Sequence, residues 1–192
     1  MNSNGLKVPK KWKDPIDYCC IELVDLVHPI FRKLNFTPNM LTMLGMISRI
    51  SSFKFLFGQQ KNYFVLFQLI GYFFDVIDGH YARIYKMTSQ FGDILDHLND
   101  NINVLGFIYY LYNSKSFCKS PYKWVLIGVF MIIFSCMVSY QGCQEKIHDD
   151  GEVNQILGMF RSFCPDTRMI EFTKYFGPGV TLFYVIAIVY LF

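Results

Sequence analysis

The stretch Gly71–Asp100, GYFFDVIDGHYARIYKMTSQFGDILDHLND, decides the fold of this chain. Asp75 and Asp78 lie three residues apart at the end of one apolar run. Asp96 and Asp100 lie four residues apart at the start of the next. An unpaired charge beside such apolar sequence is costly and usually marks a functional site. The stretch therefore predicts two helices whose acidic side chains belong to a functional site.

Helical periodicity places each acidic pair on one helix face. At about 100° per residue, Asp75 and Asp78 fall on one face of the first helix, and Asp96 and Asp100 share a face of the second. Antiparallel packing across the loop Ile84–Phe91 would bring the two faces together. Small residues lie beside the acids and would allow close approach of the backbones: Gly79, Ala82 and Gly92.

The charge of this acidic set predicts bound cations. Four carboxylates carry a charge of −4, and Arg83 alone does not offset it. Two divalent ions would supply the balance, and an all-oxygen ligand set suits Mg²⁺ or Mn²⁺ rather than zinc. A paired-metal site at the mouth of a membrane helix bundle favours phosphoryl chemistry, in which metal ions hold a diphosphate and stabilise the leaving oxygen.

The spacing from Asp75 to Asp100 can be written D-x2-D-G-x2-A-R-x8-G-x3-D-x3-D. It resembles, at every fixed position, the signature of the CDP-alcohol phosphatidyltransferase family. A second stretch, Thr37–Thr42 (TPNMLT), is similar to the opening of the family's first membrane helix. The resemblance implies a membrane enzyme of phospholipid biosynthesis. Such an enzyme moves a phosphatidyl or phospho-alcohol group from a CDP-linked donor to an alcohol hydroxyl and releases CMP.

The resemblance also implies a role for each motif residue. In the family the first and third aspartates bridge two metal ions, which implies this role for Asp75 and Asp96. Asp78 would then bind one ion, and Asp100 would bind the other and act as general base on the acceptor hydroxyl. The cofactors implied are two divalent ions, Mg²⁺ or Mn²⁺. Further residues are expected to contact the CDP moiety or to make room for it: Gly79, Ala82, Arg83, Ser89, Gly92, Asn39 and Thr42.

Composition indicates a polytopic membrane protein. The chain has 192 residues, of which 53% are hydrophobic and 18% aromatic, and abundant Phe and Tyr are typical of lipid contact and interfacial belts. The family usually has six membrane helices, and the mixed segment 144–176 leaves the sixth open. We therefore predict an all-α integral membrane protein with five to six transmembrane helices. Five segments approach the spanning length of about 20 residues: Pro38–Phe57, Asn62–Arg83, Gly92–Tyr112, Tyr122–Cys143 and the shorter Gly177–Phe192.

Two parts of the chain are expected. Residues 1–34 form a cytoplasmic N-terminus and an amphipathic helix over Asp14–Leu34 that lies on the membrane surface. Residues 35–192 form the transmembrane transferase domain. A cytoplasmic N-terminus, and hence a multi-pass protein with a cytoplasmic active site two spans later, is favoured by a group of lysines: Lys7, Lys10, Lys11 and Lys13. The six cysteines have the spacing of neither a zinc site nor a small disulfide framework, so most are expected to be free thiols.

The partners expected are a CDP-diacylglycerol or CDP-alcohol donor, an alcohol or lipid acceptor, and membrane lipids. Nucleic acid is not expected, and a homodimer is left open. His80, in the run Asp78-Gly79-His80, is similar to phosphatidylinositol synthases, whereas Asp96-His97 is similar to choline and ethanolamine phosphotransferases. The short chain favours CDP-diacylglycerol as donor.

Other readings of the acidic motif remain open from sequence. A carboxylate-lined metal or proton transporter would explain the charge, since acids in membrane helices also serve ion pathways. It would not explain the glycines, the alanine and Arg83 at their spacing. An inactive relative acting as a scaffold is disfavoured by the intact motif. Arg49, inside the first span, is either a structural ion pair or a contact to phosphate or acceptor.

Overall fold

The computed structural model describes residues 5–147, 159 and 161–192, and the regular structure in these ranges is helical. The all-α prediction is thus confirmed for this part of the chain. The six helices up to residue 147 are α1 Pro15–Lys33, α2 Pro38–Phe57, α3 Lys61–Ile84, α4 Gln90–Asn113, α5 Lys115–Lys119 and α6 Lys123–Ile147. A short helix, Ile170–Thr173, and a C-terminal helix, Pro178–Leu191, follow, and single 3₁₀ turns lie at Lys10–Trp12, Thr167–Met169 and Lys174–Phe176.

Local sequence signals set the helix boundaries near the motif. Thr37 precedes α2, and its hydroxyl accepts a hydrogen bond from the backbone N–H of Met40 at 3.3 Å, while Pro38 occupies the first turn, where no N–H partner is needed. Ser89 caps α4 in the same way. Three residues with positive φ follow α1, α2 and α3 and turn the chain back: Asn35 (56°), Gln59 (61°) and Lys86 (53°).

Three helical stretches of the described residues are long and apolar enough to cross a membrane: Pro38–Phe57, Lys123–Ile147 and Thr167–Leu191. The helices α3 and α4 have 24 residues each, which is a spanning length. Their aspartates and amides lower their mean hydropathy, because charged and amide groups are strongly hydrophilic. The count of five to six spans stays a prediction.

The chain divides into two compact units, and the larger comprises Cys20–Ser120 and Val185–Phe192 with a short N-terminal piece. Within it, α2 packs against both α3 and α4. Gly71 allows α3 to lie close to α2. A Cβ atom on Gly71 would lie 2.7 Å from Arg49 Cγ and 3.2 Å from the carbonyl oxygen of Gly45. The helix that bears the first acids is therefore held against α2 by small residues.

The part of α1 within this unit is fixed to α3. Val24 lies in a buried cluster with Ile77 and Tyr81, and Asp25 Oδ1 lies 2.8 Å from His80 Nε2. An outer apolar face remains exposed on α1, at Leu23, Leu26 and Ile30. An exposed apolar face is what a membrane-surface helix requires, and the interfacial position of α1 stays a prediction.

The smaller unit comprises Leu6–Cys19 and Pro121–Tyr184. Asp14 caps the start of α1 by accepting a hydrogen bond from the N–H of Ile16 at 2.7 Å. The carboxylate also accepts from the N–H of Val180, in the first turn of the C-terminal helix. A disulfide joins Cys143 to Cys164, 21 residues apart, which the spacing of the cysteines did not predict. The other four cysteines are thiols outside any disulfide, as expected for most of the six.

The buried Asp14 gives a testable pH dependence. Burial, helped by the neighbouring Asp17, raises the pKa of Asp14 from its ordinary value of 3.8 to about 6. The folded protein therefore holds this proton more tightly than the unfolded chain, so the free energy of unfolding falls as pH rises from about 4 to about 6. The expected loss is up to about 3 kcal/mol. Thermal melting in detergent across this range should show it.

A matched pair of melting series separates Asp14 from other titrating groups. Asn at position 14 has no charge to desolvate, so Asp14→Asn should flatten the dependence of the melting temperature on pH between about 4 and 6. Asp166→Asn serves as the control, because Asp166 is exposed and paired with Arg168. A wild-type melting temperature that rises through this window, with an equal rise in Asp14→Asn, would contradict the assignment.

Candidate active site

The first two motif acids lie in different surroundings on α3. Asp78 is buried, with 5% of its surface exposed. The Thr42 side chain of α2 lies beside its carboxylate, while the Oδ2 atom of Asp78 is buried and has no hydrogen-bond partner. A buried carboxylate oxygen without a partner is costly and marks a place where a cation or donor would be stabilised. Thr42, expected at the nucleotide, thus lies beside Asp78.

Asp75 of α3 contacts side chains of both α2 and α4. Its Oδ1 atom lies 3.2 Å from Arg49 Nη2 of α2 and accepts a hydrogen bond at 3.1 Å from Asn99 Nδ2 of α4. Asn99 is fully buried. The contact between Asn99 and Asp75 brings α4 to the acid face of α3, as the periodicity predicts.

The second acid pair lies on α4. Asp100 Oδ1 is 3.2 Å from Arg49 Nη1, and its side chain is 36% exposed, compared with 17% for Asp75. Asp96 is partly buried and close enough to Arg49 to stabilise its positive charge. Asp78 is thus the most buried of the four motif aspartates, and the side chain of Asp100 is more exposed than that of Asp75.

Arg49 connects the acids of the two helices. Its guanidinium spans from Asp75 on α3 to Asp100 on α4, and only 3% of the residue is exposed. The sequence left two roles open for Arg49: a structural ion pair, or a contact to phosphate or acceptor. The structure shows the ion pair. Helical periodicity predicts that the two acid faces meet directly, whereas in the structure a side chain from α2 lies between Asp75 and Asp100.

The carboxylate oxygens of the four motif acids are suitable ligands for a hard divalent cation. The four acids offer only oxygen ligands, which Mg²⁺ and Mn²⁺ prefer, and the unpartnered Oδ2 of Asp78 is a ready donor. In the ranges that the structure describes, however, no three His, Cys, Asp or Glu side chains are grouped so that they could hold a metal ion. Arg49 instead engages one oxygen each of Asp75 and Asp100. The four-aspartate metal set stays a prediction.

Three of the residues expected at the nucleotide lie together at the start of α4. Ser89 Oγ accepts a hydrogen bond from the N–H of Gly92 at 3.1 Å. A Cβ atom on Gly92 would lie 3.1 Å from Asn39 Oδ1 and 3.2 Å from Ser89 Oγ. The absent side chain of Gly92 thus leaves a small space lined by two polar oxygens, in which a ligand group could approach the backbone.

Arg83 and Gly79 form a separate contact on α3. A Cβ atom on Gly79 would lie 3.1 Å from Arg83 Nη1, so the glycine makes room for the guanidinium. Arg83 Nε donates a hydrogen bond to the backbone carbonyl of Gly5 at 2.7 Å. Ala82, the remaining motif residue, is buried. The contact of Arg83 with a diphosphate stays a prediction.

Hydrogen-bonded polar side chains continue from the acids into the helix bundle, and most of these contacts were not predicted from the sequence. Gln68 Nε2 of α3 donates to Ser52 Oγ of α2 at 3.0 Å and to Asn103 Oδ1 of α4 at 2.9 Å. Gln68 and Ser52 are buried. The sequence signal for these hydrogen bonds was the presence of amide side chains within apolar runs, because such groups must find partners inside the bundle.

Comparison with known proteins decides the family. The sequence model of the family described as CDP-alcohol phosphatidyltransferase matches residues 35–192, which is more than half of the chain. The chain belongs to the CDP-alcohol phosphatidyltransferase family. A curated relative, the archaetidylinositol phosphate synthase of Pyrococcus horikoshii, is 28% identical over 146 residues, covering 76% of this chain and 70% of the relative. No solved structure is significantly similar to this chain.

Membership supports the expected chemistry at the level of the family. A CDP-alcohol phosphotransferase of phospholipid synthesis is implied, with a CDP-alcohol donor and an alcohol acceptor. The division of the chain into residues 1–34 and a transferase domain over residues 35–192 stays a prediction. The transporter reading is not favoured, because it gives no account of the family match.

His80 and His97 were expected to indicate the branch of this family, and the structure describes the side chain of His80 alone. His80 is 1% exposed, and its Nε2 atom pairs with Asp25 of α1. Its observed role is therefore to fix α1 to α3. The side chain of His97 lies outside the described residues.

Gly92→Ala tests the predicted role of Gly92 at the nucleotide. The added methyl would press on Asn39 Oδ1 and Ser89 Oγ, so we expect the KM for the CDP-linked donor to rise by roughly tenfold, equivalent to about 1.4 kcal/mol of lost binding. The control is Gly128→Ala on α6, where an added Cβ would meet no atom within 4 Å. Steady-state kinetics with varied donor measure both. A fall in kcat at unchanged KM would contradict the nucleotide role.

Proposed function

We propose that this chain transfers a phosphatidyl or phospho-alcohol group from a CDP-linked lipid to an alcohol hydroxyl, with release of CMP. The observation that carries the proposal is the position of Asp75 of α3 and Asp100 of α4 at the same guanidinium, that of Arg49, in a member of this family. Carboxylates brought together within apolar helices need a cationic partner. The donor's diphosphate arrives with such cations in phosphoryl-transfer enzymes.

Each motif aspartate has a proposed role. Asp75, Asp78, Asp96 and Asp100 would hold two Mg²⁺ or Mn²⁺ ions, which when bound neutralise the diphosphate and the leaving CMP oxygen. Asp100 takes the proton from the acceptor hydroxyl. The acceptor oxygen then attacks the phosphorus distal to cytidine, and the bond from this phosphorus to the CMP oxygen breaks. The greater exposure of Asp100 supports this role, because a general base must reach an incoming alcohol.

Two cues support the proposed substrates. The curated relative is named for archaetidylinositol phosphate synthesis, and the run Asp78-Gly79-His80 is similar to phosphatidylinositol synthases. We therefore propose a CDP-linked lipid as donor and a phosphorylated inositol as acceptor. The lysine-rich N-terminus supports a cytoplasmic active site in a multi-pass protein.

A substrate panel tests the proposed function. Purified protein in lipid nanodiscs with Mg²⁺ is given CDP-diacylglycerol or a CDP-linked ether lipid, each with inositol phosphate, inositol, glycerol phosphate or serine. CDP-choline and CDP-ethanolamine with diacylglycerol complete the panel. CMP release that requires both a CDP-lipid and inositol phosphate, with the matching lipid product by mass spectrometry, is the expected result. Activity only with CDP-choline or CDP-ethanolamine would contradict the substrate assignment, and no turnover with any pair would contradict the transferase.

A further inference from the structure

Arg49 is the feature of this site that neither the family match nor the motif explains. It lies outside the motif Asp75–Asp100, on a different helix, yet it contacts two of the four motif acids. We propose that Arg49 is an internal counter-ion that competes with divalent cations for Asp75 and Asp100, and so sets the affinity of the site for metal. The inference rests on the proposed function, because it concerns the metal ions that this function uses.

The contacts place Arg49 in direct competition for ligand atoms. Its Nη2 and Nη1 atoms each lie 3.2 Å from a carboxylate oxygen, Oδ1 of Asp75 and Oδ1 of Asp100. A cation that bridges acids of α3 and α4 needs oxygens of these same groups. Arg49 engages one oxygen of each, and in the described residues no three His, Cys, Asp or Glu side chains are grouped so that they could hold an ion.

Packing holds the guanidinium in this position. The Arg49 side chain is 4% exposed, so it has little access to solvent as an alternative. A Cβ atom on Gly71 would lie only 2.7 Å from Arg49 Cγ, so the glycine makes room for the stem of the arginine. A buried guanidinium keeps its charge at any physiological pH, so the competition does not depend on titration.

Electrostatics fixes the sign of the expected effect. Removal of one positive charge from within hydrogen-bonding distance of two ligands makes the site more negative and strengthens its attraction for a divalent ion. If Arg49 were instead only a clamp between α3 and α4, its removal would let the acids separate and metal binding would weaken. The two roles therefore predict opposite changes in the dissociation constant.

The experiment measures Mn²⁺ binding to purified protein in nanodiscs without substrate, by electron paramagnetic resonance of free Mn²⁺. For Arg49→Met we expect the dissociation constant to fall at least about tenfold below that of the wild type. Lys54→Met is the matched control: it also removes one positive charge from α2, but Lys54 is exposed and lies more than one helical turn further along. Its dissociation constant should change less than twofold.

A second readout is thermal stability. In EDTA, Arg49→Met should melt below the wild type, because Asp75 and Asp100 lose their ion pairs with the guanidinium. Saturating Mn²⁺ should then raise its melting temperature more than that of the wild type. Arg49→Gln, which is also neutral but can donate a hydrogen bond, gives the same test if the methionine variant does not fold.

The outcomes separate the inference from the proposed function. Tighter Mn²⁺ binding by the neutral Arg49 variants supports the competition, even where the wild type binds too weakly to measure. Wild-type binding that stays unchanged or weakens in folded Arg49→Met and Arg49→Gln overturns the competition and leaves the transferase standing. Absence of Mn²⁺ binding in all variants, with CDP-dependent turnover that EDTA does not reduce, overturns both the competition and the metal-based proposal.

Discussion

Asp100→Asn lowers the rate of CMP release by about 10²–10⁴-fold, the usual contribution of a positioned general base. The amide keeps the size of the side chain but cannot take a proton from the acceptor hydroxyl. The ion pair with Arg49 also weakens, so we expect some loss of thermal stability. Release of CMP from a CDP-lipid and inositol phosphate, followed by a coupled assay or by chromatography, measures the change.

The control for Asp100 is Asp93→Asn. Asp93 lies in the first turn of the same helix and is not a motif position, so its variant should keep activity within about twofold. The pH profile adds a second criterion, because loss of a base should remove the acidic limb of the kcat profile. Wild-type rates in Asp100→Asn, at saturating metal and substrates, would exclude the base assignment.

Asp78→Asn weakens divalent-ion binding and slows turnover, each by at least about 100-fold, because metal ligation supplies several kcal/mol of charge stabilisation. Asp78 is the most buried of the motif acids, and its Oδ2 atom has no hydrogen-bond partner. The amide retains the shape of the side chain and one oxygen for the Thr42 hydroxyl. It loses the charge that makes the group a strong ligand for a hard cation.

Two measurements separate loss of metal from loss of fold in Asp78→Asn. Mn²⁺ binding reports the ligand directly, and the melting temperature in EDTA reports the fold, which should change by only a few degrees. Asp166→Asn is the control, because Asp166 is an exposed partner of Arg168 and not a motif residue. An unchanged dissociation constant for Mn²⁺ in Asp78→Asn would remove this aspartate from the ligand set.

Local sequence information determined the helices and the motif. α2 was predicted as Pro38–Phe57 and has these bounds, because Thr37 caps it and Pro38 starts it. The faces of α3 and α4 were predictable for a similar reason: side chains three or four residues apart point the same way in any α-helix. The proximity of Ser89 and Gly92 also follows from chain neighbourhood, since one caps the helix that contains the other.

Contacts between distant parts of the chain were decided by the tertiary structure alone. That Arg49 lies between Asp75 and Asp100 depends on how α2 is rotated and how closely Gly71 lets it approach α3. The capping of two helices by Asp14 and the Cys143–Cys164 disulfide likewise join residues far apart in sequence. Helical periodicity fixes which residues share a face of one helix. The rotation and separation of packed helices depend on side-chain packing summed over many residues, which no local pattern encodes.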